Sequence, residues 1–211
     1  MNSSTDATEP GPGGVGLIRI LQPGIASSFR LVFFPESAES IAYYLSLAEL
    51  LLPTVEVLVV QYPVAAGGDA GARTTDDAQL ADRIFEALGE WTDGPVALFG
   101  HRAGADLAFR VAERWERDCG TAVLTLFVSA RAARLTLPLG PPTLGCRVVA
   151  LVGEHTPDAP RRGVRGWRRC TSGRFDLEVL PDSYDYLDSC RREIVNLVHD
   201  QLLSQPPPDA E

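Results

Sequence analysis

The chain has 211 residues, 45% of them hydrophobic and 22% charged, with a formal net charge of −9. That describes one ordinary globular domain with a substantial core, and the acidic balance argues against a general nucleic-acid binder, which needs a broad positive face to neutralise phosphates. No apolar run reaches membrane-spanning length, and Cys119, Cys146, Cys170 and Cys190 stand in no metal-ligand spacing, so neither a membrane span nor a zinc site is expected.

Residues 1–14 are polar and rich in Gly and Pro, without the basic and apolar regions of a signal peptide. They are expected to be disordered, the thiols reduced and the compartment cytoplasmic. Val15 to Ile20 and Phe29 to Phe34 read as strands. Ser40 is a plausible N-cap for a helix over Ile41 to Leu52, stopped by Pro53. Val55 to Gln61 is β-branched and reads as a buried strand. A loop over Val64 to Arg73 leads to a second helix, Ala78 to Trp91, capped by Thr75 or Asp76. Val96 to Phe99 is a strand, Ala103 to Arg117 a helix, and Ala122 to Ser129 the next strand. Ala130 to Leu144 reads as a connecting loop, Arg147 to Val152 as a buried strand, and Arg161 to Cys170 as a short helix. Phe175 to Leu180 is the last strand and Tyr186 to Leu203 the closing helix. The polar, Pro-rich residues 204–211 are expected to be a disordered tail, leaving a single domain over 15–203. Strands alternating with helices imply an α/β fold, a mostly parallel sheet covered on both faces, with the site in loops at the strands' carboxyl ends.

One stretch organises this pattern. Ala97-Leu98-Phe99-Gly100-His101-Arg102-Ala103-Gly104 ends an apolar strand in Gly-x-x-x-Gly and opens a helix. In the G-x-S-x-G nucleophile elbow that geometry lifts a serine oxygen above the sheet. Here the central residue is Arg102, whose guanidinium stays protonated and is no nucleophile. All 19 positive charges are arginine. Five of them stand in the run Arg161 to Arg169. That run reads first as a solvated helix face with Trp167 packed inward, and its charge would also suit an acidic partner or a phosphate.

Several motifs occur in the order found in one family. Leu31-Val32-Phe33-Phe34-Pro35, Val57-Leu58-Val59-Val60-Gln61-Tyr62-Pro63, the Ala-Leu-Phe-Gly-His elbow and Leu126-Phe127-Val128-Ser129-Ala130-Arg131 together resemble the type II thioesterases of polyketide and nonribosomal peptide assembly lines. The resemblance covers most of Leu31 to Leu203 and implies an α/β-hydrolase fold. It also implies where the family's working residues would fall. Arg102 occupies the nucleophile position, Thr156 the acid position in Gly153-Glu154-His155-Thr156-Pro157, and Tyr184 the base position in Pro181-Asp182-Ser183-Tyr184-Asp185. Glu36-Ser37-Ala38-Glu39 replaces the His-Ala-Gly-Gly oxyanion loop, and a carboxylate there opposes a developing oxyanion. Only Ala132 to Leu144 fills the interval where the family carries a helical lid.

Arg102, Tyr184, Glu36 and Asp185 are therefore the candidate catalytic residues, with His101, Ala103, Asp106, Glu154, His155, Thr156 and Glu39 also placed at the cleft. No cofactor or metal is expected. With every triad position changed, three readings stand: non-hydrolytic chemistry on a polyketide-type intermediate, a silent relative that binds a carrier protein, enzyme or ligand, and a residual acyl-thioester hydrolase. The partner is a polyketide-like small molecule or an acyl carrier protein, with neither nucleic acid nor membrane expected. Arg102 is expected to pair with Glu36, Asp185 or Asp106, because a charge at an enclosed turn needs a counter-charge. The oligomeric state is not legible.

Overall fold

A computed structural model gives the fold, and it describes residues 4–7, 14–36, 41–62, 74–89, 94–120, 122–133, 141–181 and 186–204. The strands are β1 (Ser4–Ala7), β2 (Gly16–Leu21), β3 (Phe29–Phe34), β4 (Val55–Gln61), β5 (Val96–His101), β6 (Thr125–Ser129), β7 (Arg147–Gly153) and β8 (Phe175–Leu180). They form one sheet in the order β1-β2-β4-β3-β5-β6-β7-β8. From β4 through β3 to β8 every pairing is parallel, whereas β1 on β2 and β2 on β4 are antiparallel. The helices are α1 (Ile41–Leu51), α2 (Thr74–Ala87), α3 (Ala103–Cys119), α4 (Asp158–Arg165), α5 (Tyr186–Ser189) and α6 (Arg191–Leu203), with a 3-10 turn at Gly166–Arg169.

Side chains alternate across the sheet with a period of two. Val32, Phe34, Leu98, Leu126, Val128, Val148 and Ala150 face one way, into a core shared with Ile84 of α2, Ala105, Ala108 and Ala112 of α3, and Val164 of α4. Leu31, Phe33, Ala97, Phe99, Phe127 and Val149 face the other way, against Tyr44 and Leu47 of α1 and Ile194 and Val198 of α6. Both faces are dry, so the central strands read as continuous apolar runs. The alanines of α3 recur at 105, 108 and 112, and this small-residue stripe lets the helix lie close on β5. Helix α3 stops at Gly120, which takes a left-handed conformation at φ 67°.

Several expected boundaries are corrected. Residues 4–7, expected to be disordered with the rest of 1–14, form β1 and pair with Ile18 to Leu21. The antiparallel β2 leaves an edge that any short extended segment can satisfy, whatever its composition. The second helix begins at Thr74, so Thr75 and Asp76 lie inside it instead of capping it. β6 begins at Thr125, three residues after the expected start. The arginine-rich helix begins at Asp158 and tightens into a 3-10 turn. The closing helix is broken at Cys190 into α5 and α6. The proposed N-cap Ser40, the loop 64–73 and the tail 205–211 lie outside the described residues.

Candidate active site

β5 is interior to the sheet, between β3 and β6, and the chain turns sharply after His101. A Cβ on Gly100 would lie 2.4 Å from the Ala105 Cα, and one on Gly104 would lie 2.1 Å from the Phe34 carbonyl oxygen. Both clashes are with backbone, so no side-chain rotation relieves them. The two glycines therefore set how closely α3 approaches β5 and β3. Between them Arg102 sits at φ 49°, ψ −117°, outside the regions an L-residue ordinarily occupies. The turn is held by the Arg102 N–H donating to the Ser129 carbonyl at 2.8 Å and the Ala105 N–H donating to the Arg102 carbonyl at 3.1 Å. The strained frame of a nucleophile elbow is complete, with an arginine at its tip.

The Arg102 guanidinium reaches Glu36, Nη1 to Oε2 at 3.0 Å. Glu36 follows β3 at its carboxyl end, where parallel pairing with β5 brings Phe34 beside Gly100. Both side chains are partly exposed, 28% for Arg102 and 39% for Glu36. The pair therefore lies at the mouth of the turn and is not sealed in the core, less enclosed than the sequence suggested.

Asp106 belongs to a different pair. It is buried in the first turn of α3, and Arg131 donates to its Oδ2 from Nη2 at 2.5 Å and from Nε at 3.0 Å. The Arg131 carbonyl in turn accepts from Trp167 Nε1 at 2.8 Å. Arg131 stood in a quoted motif but not among the expected site residues. Its only signal in the sequence was a charged residue two positions after an apolar strand.

His101 is buried, with Nδ1 2.8 Å from Ser129 Oγ. Burial, and then the neighbouring Arg102 charge, lower its pKa from 6.5 to about 3. The imidazole is thus neutral and committed to supporting the turn. Ala103 is the first residue of α3, immediately after Arg102. At the end of β7, Thr156 is buried and its N–H donates to the Gly153 carbonyl at 3.0 Å, closing a tight turn. Glu154 and His155 are exposed on that turn, and the Glu154 N–H donates to the Leu180 carbonyl at 2.8 Å. Tyr62 donates its hydroxyl to the Pro35 carbonyl, tying the ends of β3 and β4 together beside Glu36. Tyr184, Asp185 and Glu39 lie outside the described residues. The elbow thus brings together Arg102, Glu36, His101 and Ala103, while Asp106 is turned to Arg131. Among the described residues no cluster of His, Cys, Asp and Glu could hold a metal, and no helix is long and apolar enough to cross a membrane.

A family model described as a thioesterase domain matches residues 29–138, from β3 through the elbow and β6. The chain is 31% identical to the thioesterase PikA5 of Streptomyces venezuelae, over 92% of this chain and 88% of that one. That alignment runs over 247 positions, more than the 211 residues here, so the relative has residues that this chain lacks. Among solved structures, the type II thioesterase BorB from the borrelidin biosynthetic cluster superposes with a TM-score of 0.72 at 28% identity, over 86% of this chain and 94% of that one. The RedJ thioesterase from the prodiginine pathway of Streptomyces coelicolor superposes at 0.70 with 25% identity, over 86% and 88%. The sheet order, the elbow and these likenesses agree: the chain belongs to the thioesterase family and has the α/β-hydrolase fold, with type II thioesterases among its relatives.

Proposed function

We propose that this protein serves a polyketide or nonribosomal peptide assembly line, with a cleft that engages an anionic group of the intermediate instead of attacking its thioester through a serine. The assignment to such a pathway is supported by the relatives, since BorB and RedJ belong to borrelidin and prodiginine biosynthesis. The departure from acyl-enzyme chemistry is supported by one observation. The elbow tip carries Arg102, held 3.0 Å from Glu36.

A guanidinium beside a carboxylate at a strand end suits proton transfer next to a carbonyl. Glu36 accepts an α-proton, the C–H electron pair moves through the new double bond onto the carbonyl oxygen, and Arg102 stabilises the enolate. Cyclisation, dehydration, isomerisation and decarboxylation of a polyketide-type intermediate all pass charge through such a state. Tyr184 and Asp185, which follow β8 in the sequence, are proposed as the groups that return the proton. The intermediate arrives on an acyl carrier protein or as a released small molecule. A second reading rests on the same pair. Glu36 already satisfies Arg102, so the elbow is filled from within, which suits a silent relative that only binds its carrier or ligand.

Deleting the gene and profiling the accumulated intermediate supplies the substrate. On this reading Arg102→Ala and Glu36→Gln each abolish its conversion by the purified, folded protein, whereas the silent reading requires no conversion by the native chain. Acyl-thioester hydrolysis tests the third possibility. Arg102→Ser adds a hydroxyl, but His101 is fixed to Ser129 and Thr156 is buried in a backbone turn, so among the described residues no base is poised for it. Hydrolysis by Arg102→Ser should stay within about tenfold of background. A larger rise would make the protein a residual hydrolase, and an unchanged product profile on deletion would remove it from the pathway.

A further inference from the structure

The arginines of the sheet and of α3 are mostly neutralised within the fold. Arg19 and Arg30 reach Glu56, Arg114 reaches Asp82, Glu86 and Asp118, and Arg147 and Arg174 reach Asp176. α4 and its 3-10 turn differ. Across 158–169 they carry five arginines against the single carboxylate Asp158, in a chain of net charge −9. Arg162, Arg165, Arg168 and Arg169 are all exposed, and among the described residues none of them has a carboxylate within ion-pair distance. Like charges crowded on one short helix repel, and ordinary surface design would disperse them.

The other side of this element is fixed. Val164 and Trp167 are buried, the Trp167 ring lies edge-on to Phe109 of α3 at 5.4 Å, and its indole N–H donates to the Arg131 carbonyl. The Ala133 N–H donates to the Gly163 carbonyl at 3.0 Å, so the chain leaving β6 is stitched onto α4. Arg161 reaches the other way, donating to the Glu154 carbonyl at 2.6 Å on the turn after β7. The positive face is therefore a rigid platform joined directly to the rim of the elbow site.

We propose that Arg162, Arg165, Arg168 and Arg169 form the docking face for the acidic surface of an acyl carrier protein. The argument is charge complementarity: arginines with no ion-pair partner among the described residues fit a negative protein surface, and they repel the same face of a second copy. Choosing a carrier protein as the occupant rests on the function proposed above. Docking there sets the carrier beside the rim held by Arg161, on the side of the elbow where the chain is pinned to α4.

The test measures binding of fluorescently labelled acyl carrier protein, in apo and phosphopantetheinylated forms, to the full chain. Both forms should bind, more weakly as salt rises, because the contact is between exposed charges. Arg162→Glu/Arg165→Glu and Arg168→Glu/Arg169→Glu should each weaken binding by about tenfold or more, since several favourable pairs become repulsive together. The corresponding glutamine variants should weaken it less, and Arg117→Glu, at an exposed position near the end of α3, should leave it unchanged. Thermal melting checks that each variant is folded. No binding by the native chain, or equal binding by the reversed variants, overturns the proposal. So does binding confined to the phosphopantetheinylated form, or arginine-dependent binding to phosphatidylglycerol vesicles without carrier binding. Arg102→Ala should bind the carrier normally, so loss of conversion in that variant and loss of docking in the others report separately on the site and on the face.

Discussion

Arg102 meets a cost that an ordinary surface arginine does not, and its ion pair offsets only part of it. Its backbone is held at φ 49° by backbone contacts around Gly100 and Gly104, and its charge is held at the mouth of the turn by Glu36. The conformation costs on the order of 1–3 kcal/mol for a residue with a Cβ. The half-exposed pair returns about 1 kcal/mol or less. Comparing Arg102→Gly with Arg102→Ala isolates the strain, since both lose the pair and only alanine keeps the Cβ. Arg102→Gly should be more stable by about 1 kcal/mol in urea denaturation, net of glycine's extra backbone entropy. An alanine variant of equal or greater stability would mean that the turn carries no strain.

At the scale of elements, three segments meet at Arg131. α3 supplies the carboxylate, the chain after β6 supplies Arg131, and the 3-10 turn supplies Trp167. The Asp106 side chain is 9% exposed and that of Arg131 29%, so the pair stands between a surface and a buried ion pair. Asp106→Asn should cost about 2 kcal/mol on that basis. A double-mutant cycle of Asp106→Asn with Arg131→Gln should show a coupling of about 1 kcal/mol or more, and a value near zero would show that the two side chains do not support each other. The pair fixes α3 relative to the segment that runs onto α4. It thereby carries the elbow and the arginine platform on one connected frame.

At the scale of the molecule, one buried imidazole makes the whole fold acid-sensitive. His101 titrates near 3 in the folded chain against 6.5 when unfolded, through burial and then the Arg102 charge. Between those values the unfolded chain binds a proton that the folded chain does not, so stability falls as pH falls from about 6.5 towards 3. Between pH 8 and pH 5 the loss should be roughly 2 kcal/mol. His101→Gln removes the titration, so its urea midpoint should vary less with pH over that range. A native chain with a flat profile between pH 8 and pH 5 would contradict the lowered pKa.

The apolar run Leu31-Val32-Phe33-Phe34 and the β-branched run of β4 were legible without coordinates. Each is a local pattern, a continuous apolar stretch of strand length that marks a strand buried on both faces. The elbow was legible for the same reason, since only glycine fits where α3 and β3 close on it. The strand Ser4–Ala7 was not legible, because an edge strand borrows its hydrogen bonds from β2 and needs no apolar pattern of its own. Nor did the sequence decide which carboxylate serves which arginine. Glu36 and Asp106 were both candidates for Arg102, and the parallel register of β3 with β5 gave it Glu36, while the path of the chain after β6 gave Asp106 to Arg131. Charge identity is written in the chain, but pairing depends on distances of a few ångströms between segments far apart in sequence, which only the packed sheet establishes.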